Sequence, residues 1–226
     1  MGKSFSLKLL SWVCVGVALM VCQVEAGFVT YNMDTEFSGA TAPEGVGPWL
    51  TATFDDQGTP GTVILTLNTA GLTDNEFVSG FYFNFDPSLN ISLLSASINS
   101  SPAVTTIKPF ITNKYKADGD GLYDGLISFS NGALVNGVTA TFTLSSSEAI
   151  TFESFAFESA PAGGHGPFFV AAHVQGIGPT DADSGWITGT TSADQNQVPE
   201  PTSMILFGLG GLGAIAAGRR RRQQAA

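Results

Sequence analysis

Three aspartates fall within seven residues near the middle of the 226-residue chain, at Asp118, Asp120 and Asp124. Glycines separate them, and glycine lets a backbone fold tightly round a bound ion. Carboxylate and carbonyl oxygens on a flexible turn are ligands that calcium prefers. The spacing departs from the EF-hand, since Leu122 occupies the fifth ligand position and no Glu stands at the twelfth. The pattern predicts a weak calcium site and no other cofactor, with an acidic turn that binds nothing as the open alternative.

The remaining polar side chains do not form an arrangement typical of an enzyme. The chain has no Gly-x-Ser-x-Gly segment, and its two histidines, His165 and His173, lack a metal-ligand spacing. Of the 19 acids, all but Glu25 and Glu200 lie between residues 27 and 197, which leaves 17 carboxylates there. A glycosidase needs only two carboxylates, so this number does not discriminate. We predict a noncatalytic protein, with a carbohydrate-active enzyme as the alternative.

The charge of the central part of the chain excludes one class of partner. Residues 27–197 contain three lysines less 17 acids, a formal charge of −14, while the whole chain carries −10. Nucleic-acid binding depends on Lys and Arg side chains that neutralise phosphates and release counterions. We therefore predict no nucleic-acid partner.

The first 26 residues have the three parts of a secretory signal. A lysine-bearing start precedes an apolar run over residues 9–22, and small residues lead to Ala26. Because this run is short for a membrane span, we predict a signal helix over residues 1–26 and cleavage after Ala26. An uncleaved anchor and a lipid-modified Cys22 are the alternatives. Both cysteines of the chain lie in this segment, so the mature chain would contain no thiol and no disulfide.

The far end of the chain, residues 198–222, contains a second ordered set of parts. They are a Pro-Glu-Pro triplet, an apolar glycine-rich stretch and a basic cluster: Pro199, Glu200 and Pro201, then residues 204–217, then Arg219, Arg220, Arg221 and Arg222. The apolar stretch is just long enough to insert as a transmembrane helix, and the arginines cannot cross the hydrocarbon. The set resembles the PEP-CTERM sorting signal of bacterial envelope proteins.

The resemblance implies a sorting route. The helix at 204–217 would hold the chain in the membrane transiently, with the arginines inside, while an exosortase-type enzyme recognises Pro199-Glu200-Pro201 and cuts near it. The product would pass to the cell surface or extracellular matrix of a Gram-negative bacterium. The body would then be a surface or matrix component in contact with exopolysaccharide. A plain C-terminal anchor that is never cut is the alternative.

Hydrophobic residues of the body recur with a period of two, which is typical of half-buried strands. The alternation is clear at 63–67, 81–85 and 138–144, and further strands are predicted at 50–54, 91–98, 104–107, 126–129, 150–157 and 168–174. About nine short strands with turn residues between them predict an all-β domain over residues 27–187. We expect an antiparallel β-sandwich of jelly-roll-like or immunoglobulin-like type. The polar stretch 188–197 is predicted to be a linker.

Aromatic side chains have two uses in such a fold. The phenylalanines lie on one face of their strands and are predicted to form the core. Trp49 and Trp186 flank loops, and together with Tyr123 they are candidates to stack on sugar rings, with burial as the alternative. The segments 81–87, 116–125 and 171–178 resemble parts of otherwise uncharacterised PEP-CTERM proteins, a resemblance that implies no known activity.

Overall fold

The computed structural model describes residues 26–73, 75–101, 104–118 and 121–191. These residues are all-β, with no α-helix among them and two short 3₁₀ helices at Ile91–Leu93 and Phe152–Phe155. The fourteen strands are β1 Phe28–Glu36, β2 Leu50–Asp55, β3 Thr62–Asn68, β4 Phe77–Phe83, β5 Ser95–Ser100, β6 Val104–Ile107, β7 Tyr115–Ala117, β8 Gly121–Tyr123, β9 Gly125–Phe129, β10 Leu134–Val135, β11 Thr139–Ser145, β12 Ala160–Pro161, β13 Val170–Ile177 and β14 Asp183–Thr191.

Strand formation follows the alternation of the sequence. Strand β3 buries Val63, Leu65 and Leu67 and leaves the residues between them half-buried. Strand β11 has the same pattern and pairs with β3 in an antiparallel register that sets Phe142 opposite Leu65. The β-branched residues at the outward positions suit a pleated, half-buried surface. The predicted strands at 63–67 and 138–144 are therefore confirmed.

Eleven strands form one antiparallel sheet, in the order β5-β11-β3-β2-β1-β14-β13-β4-β9-β6, with β10 paired to β4. The sheet curls into a nearly closed, barrel-like shape. The other three strands form a small sheet in the order β12-β8-β7. The predicted all-β antiparallel class is confirmed. A sandwich of two facing sheets is not confirmed, because most strands belong to one continuous sheet.

Phenylalanine rings fill the interior of the curled sheet, as predicted. Phe54 stacks on Phe155 with ring centroids 4.8 Å apart and planes 13° from parallel, and Phe83 meets Phe54 edge-on at 5.9 Å. All three rings are fully buried. The Tyr31 hydroxyl donates a hydrogen bond to the Phe155 carbonyl at 3.0 Å, and burial raises the pKa of Tyr31. The core therefore joins strands from across the sheet to the 3₁₀ helix Phe152–Phe155.

The segment 150–157 was predicted to be a strand, and this prediction is wrong. Residues Phe152–Phe155 form a 3₁₀ helix instead. The hydroxyl of Ser154 accepts a hydrogen bond from the Thr151 N–H at 3.1 Å, which caps the turn. Phe152 and Phe155 are three residues apart, so the period of two is interrupted in this segment, and local capping by Ser154 competes with strand pairing.

The predicted linker begins later than expected. Strand β14 continues to Thr191, so residues 188–191 are strand and not linker. The small residue Gly189 lies so close to β1 that an added Cβ would stand 1.8 Å from the Asn32 carbonyl oxygen. Thr188 is buried and donates to the Val170 carbonyl at 2.7 Å. The small, polar composition here reflects close strand packing and not flexibility.

Both predicted membrane segments lie outside the described residues. These are the signal helix, of which only Ala26 is described, and the transmembrane helix at 204–217. Within the described ranges, no helix has the length and apolar character that a membrane span requires. The sorting residues from Pro199 to Arg222 and the predicted linker residues 192–197 also lie outside them.

Candidate functional site

The outer face of the main sheet carries a second cluster of apolar residues. Strands alternate their side chains, so where Val170, Ala172 and Val174 of β13 point to the core, Ala171 and His173 point outward. On the neighbouring strands, His173 is the register partner of Trp186 in β14, and Ala171 is the partner of Tyr82 in β4. Three adjacent strands thus bring three aromatic side chains to one face.

These three side chains, Tyr82, His173 and Trp186, form what we call the aromatic platform. The imidazole of His173 stacks on the Trp186 indole, with ring centroids 4.6 Å apart and planes inclined by 22°. The Tyr82 ring lies 5.3 Å from Trp186 at 58°. Each of the three residues is half-buried, so the platform is partly accessible to solvent.

Hydrogen bonds fix the imidazole in the platform. The Nδ1 atom of His173 lies 2.9 Å from Ser79 Oγ and 3.2 Å from Gln175 Nε2. The Ser79 hydroxyl and the Gln175 amide nitrogen can both donate to Nδ1, an arrangement that suits the tautomer with its proton on Nε2. Burial lowers the pKa of His173 below its ordinary value, although the negative charge of Asp118 opposes the shift. The platform therefore carries a neutral imidazole at pH 7.

The small sheet and the β1–β2 connection support the platform. Tyr123 of β8 is fully buried and meets Tyr82 edge-on at 5.9 Å. Phe37, which follows β1, packs on Phe168 at 4.8 Å, and its N–H donates to the Trp186 carbonyl at 3.0 Å. Trp186 is thus held in two ways. Its side chain stacks within the platform, and its backbone carbonyl accepts a hydrogen bond from the loop that follows β1.

The structure separates the three aromatic residues that the sequence offered for sugar stacking. Trp49 is buried, and its indole N–H donates to the Gly45 carbonyl at 2.7 Å. Tyr123 is buried under the platform. Trp186 alone of the three is half-buried, and it lies beside Tyr82 and His173. The sequence did not indicate this pairing, because cross-strand neighbours depend on register.

The chemistry available at the platform is stacking combined with hydrogen bonding. Aromatic faces are electron-rich and attract the C–H groups of a flat, weakly polar ligand surface. The Ser79 hydroxyl and the Gln175 amide lie beside the rings, and the charge of Asp118 acts on the same imidazole. Half-buried aromatic residues with a few fixed polar groups suit a ligand such as a sugar, which has an apolar face and a hydroxyl rim.

The predicted calcium residues occupy different environments. Asp118 is exposed and directly follows β7 with a left-handed φ of 46°, while Asp120 lies outside the described residues. Asp124 is buried, and its Oδ2 accepts from the Phe85 N–H at 2.9 Å while its Oδ1 accepts from the Asn113 N–H at 2.7 Å. Within the described ranges, no three His, Cys, Asp or Glu residues are grouped as metal ligands would be. Calcium binding stays a prediction, and Asp124 has a structural task of its own.

Two further buried carboxylates, Glu76 and Asp56, accept hydrogen bonds from backbone N–H groups as Asp124 does. Neither was identified from the sequence. Glu76 accepts from the N–H groups of Glu44 at 2.6 Å and Thr73 at 2.8 Å. Asp56 accepts from Gly27 at 2.9 Å and Gly58 at 3.0 Å. Each carboxylate pairs with backbone N–H groups of connecting segments, and such charge-assisted bonds are about twice as strong as neutral ones. These acids hold loops in place and contribute no open site.

Comparison with known proteins gives one positive result. A family model of the PEP-CTERM protein-sorting motif matches residues 197–222, which agrees with the predicted boundary of 198–222 and includes the Pro-Glu-Pro triplet and the arginine cluster. The searches of curated proteins and of solved structures returned no significant match. The chain therefore carries a PEP-CTERM protein-sorting motif, which marks it as an exported, exosortase-targeted protein of the cell envelope.

Proposed function

We propose that the folded body is a noncatalytic surface or matrix component that contacts exopolysaccharide through the aromatic platform. The observation that carries this proposal is the stack of Trp186 on His173, two half-buried residues whose ring centroids lie 4.6 Å apart. A sugar ring laid on the indole would gain stacking without the ordering of a loose side chain, because the strand register already fixes the rings.

Neighbouring polar groups support the choice of a sugar over a purely apolar ligand. The Ser79 hydroxyl and the Gln175 amide are held at the imidazole by hydrogen bonds, so they stand at the edge of the ring faces. A polysaccharide offers hydroxyl groups to such atoms at every ring. Copies of the protein held together on one surface would contact one polymer chain at several rings, and such linked contacts compensate for a weak single contact.

The sorting motif supports the remainder of the proposed route. Export would end with removal of the signal after Ala26, and the helix at 204–217 would hold the chain until an exosortase cuts near Glu200. Strand β14 ends at Thr191 and the matched motif begins at residue 197. The folded body thus extends almost to the cleavage region. After the cut, the body would reach the surface or matrix of a Gram-negative cell.

The test of ligand binding is retardation of the exported protein in affinity gels that contain a panel of polysaccharides. We expect Trp186→Ala to lose retardation and Trp186→Phe to keep part of it. Leu93→Ala is the matched control, because Leu93 is a 42% exposed apolar residue outside the platform. Equal retardation of wild type and Trp186→Ala would refute the platform. Release of sugar products, abolished by replacement of one carboxylate, would favour a carbohydrate-active enzyme instead.

The test of processing compares the wild type with Glu200→Ala in the native host. We expect the wild type to lose its C-terminal segment and the variant to remain in the membrane fraction at full length. Mass spectrometry of the C-terminal peptide measures both. If the two proteins keep the same full-length, membrane-bound C-terminus, the plain anchor replaces the exosortase substrate.

A further inference from the structure

The carboxylate of Asp56 is buried beside the start of the described chain. It is 3% exposed and follows strand β2. Its Oδ1 accepts from the N–H groups of Gly27 at 2.9 Å and Gly58 at 3.0 Å, and its Oδ2 lies 3.4 Å from the Phe152 nitrogen. In the uncut chain all three donors are neutral backbone amides, so they leave the negative charge of the carboxylate uncompensated.

Gly27 is seated tightly on this carboxylate. Its carbonyl accepts from the Asp56 N–H at 3.1 Å, so the two residues are bonded in both directions. A Cβ at position 27 would lie 2.3 Å from Cε1 of the buried Phe152 ring, so only glycine allows this approach. The nitrogen of residue 27 therefore has a fixed place within the fold.

That nitrogen is also the atom that removal of the signal peptide would change. A leader peptidase that cuts after Ala26 adds water across the Ala26–Gly27 peptide bond. Ala26 keeps the new carboxylate, and the nitrogen of Gly27 becomes an amine. An α-amine has an ordinary pKa of about 7.7 to 8.0, so at neutral pH it takes up a proton and carries a positive charge.

We infer that Asp56 is the receiving site for the mature N-terminus, where signal-peptide removal converts a neutral hydrogen bond into a buried ion pair. The inference rests on the proposed cleavage after Ala26. The processed body then gains a charge-assisted bond that the uncut precursor lacks. Export and the completion of the fold are linked through one carboxylate.

A one-residue insertion tests this inference in the exported, processed protein. A serine inserted between Ala26 and Gly27 leaves the cleavage point in place but moves the new ammonium by up to about 3.8 Å, and Gly27 again offers only an amide. Asp56→Asn is then made in both backgrounds, and unfolding by denaturant is measured. We expect Asp56→Asn to lower the folding equilibrium constant by roughly tenfold more in the wild type than in the insertion variant.

The controls separate the inference from the proposed cleavage. Mass spectrometry identifies the first residue of each protein, and a wild type that begins elsewhere would overturn the cleavage site and the inference with it. With Gly27 confirmed as the first residue, an equal cost of Asp56→Asn in both backgrounds would overturn the inference alone.

Asp55→Asn is the matched control. Asp55 is the neighbouring half-buried carboxylate and accepts from the Gln57 N–H, so its replacement should cost the same in both backgrounds. If Asp56→Asn folds in neither background, equal stability of the wild type and the insertion variant overturns the inference.

Discussion

His173 and Trp186 are register partners across β13 and β14, and their rings stack with centroids 4.6 Å apart. The pair lies on the outer face of the sheet, opposite the side chains that form the core. A sheet normally leaves such positions to polar residues when the face is solvated. This face therefore carries a stacked aromatic pair, a neutral imidazole on an indole, which the rest of the outer surface of β13 lacks.

The stability of the body should depend on pH through His173. Its folded pKa lies below the ordinary value because burial disfavours the charged ring. The stabilisation is thus complete above the unfolded pKa of about 6.5 and is lost as pH falls below it towards the folded pKa. We expect the melting temperature to fall more between pH 7 and pH 5 in the wild type than in His173→Gln. Parallel melting curves for the two proteins would contradict the prediction.

Gly189→Ala should destabilise the body strongly. The added Cβ would stand 1.8 Å from the Asn32 carbonyl oxygen, so β14 and β1 must move apart. Overpacking of this kind costs about 1 to 3 kcal/mol or more in the free energy of unfolding. Gly164→Ala is the control, because nothing lies within 4 Å of its Cβ position. Denaturant unfolding measures both, and similar midpoints for the two variants would show that residues 188–191 are not packed as described.

Asp124→Asn should loosen the connection between β4 and the small sheet. Asparagine keeps one neutral acceptor oxygen, but its NH₂ group is a donor, so one of the N–H groups of Phe85 and Asn113 loses its acceptor and the other loses a charged one. Hydrogen bonds to charged groups contribute about 1.5 to 3 kcal/mol each, so we expect a loss of about 3 kcal/mol in the free energy of unfolding. Asp34→Asn, at an exposed carboxylate of β1, serves as the comparison. An equal, small effect of both changes would show that the Asp124 bonds contribute little.

The predicted calcium site has a direct thermal test. At ten times the dissociation constant, a ligand that binds only the folded state stabilises it by about 1.4 kcal/mol, a rise of roughly 2 to 4 °C in melting temperature. We expect this rise between EDTA and about 5 mM calcium, a concentration that fills a weak extracellular-type site. The double variant Asp118→Asn/Asp120→Asn should not show it. An unchanged wild type, or an equal shift in the double variant, would leave this segment as an acidic turn.

The local alternation of apolar and polar residues was sufficient to predict much of the fold. Strands β3 and β11 follow a strict period of two, and their buried residues are the ones the pattern assigns to the core. At 150–157 the period of two is interrupted between Phe152 and Phe155, and the Ser154 cap stabilises a 3₁₀ helix there, so the predicted strand was wrong. The small, polar residues around Gly189 led to the prediction of a linker. In the structure, the small residue permits close contact between strands.

The candidate site was less accessible to sequence reasoning, because its members meet across strands. Trp186 was singled out by its type, but its partners His173 and Tyr82 come from strands that are distant in the chain. Their contact depends on the order β14-β13-β4, which no local pattern contains. The contact between Asp56 and Gly27 is likewise absent from any local pattern, because the two residues are 29 positions apart in the chain. The sorting motif, by contrast, is a contiguous segment, and its residues alone were enough to predict it.

The position of Trp186 within β14 determines how tension would pass through the anchored protein. A pull on a polysaccharide bound to the proposed platform would enter at Trp186, and strand β14 ends five residues later at Thr191, about 17 Å along an extended strand. Strand β14 is paired on both sides, to β1 and to β13, so the load is shared as shear between three strands. Before the proposed cut, a force between a ligand on the platform and the membrane would therefore run through β14 and bypass the phenylalanine core and the edge strands β5 and β6.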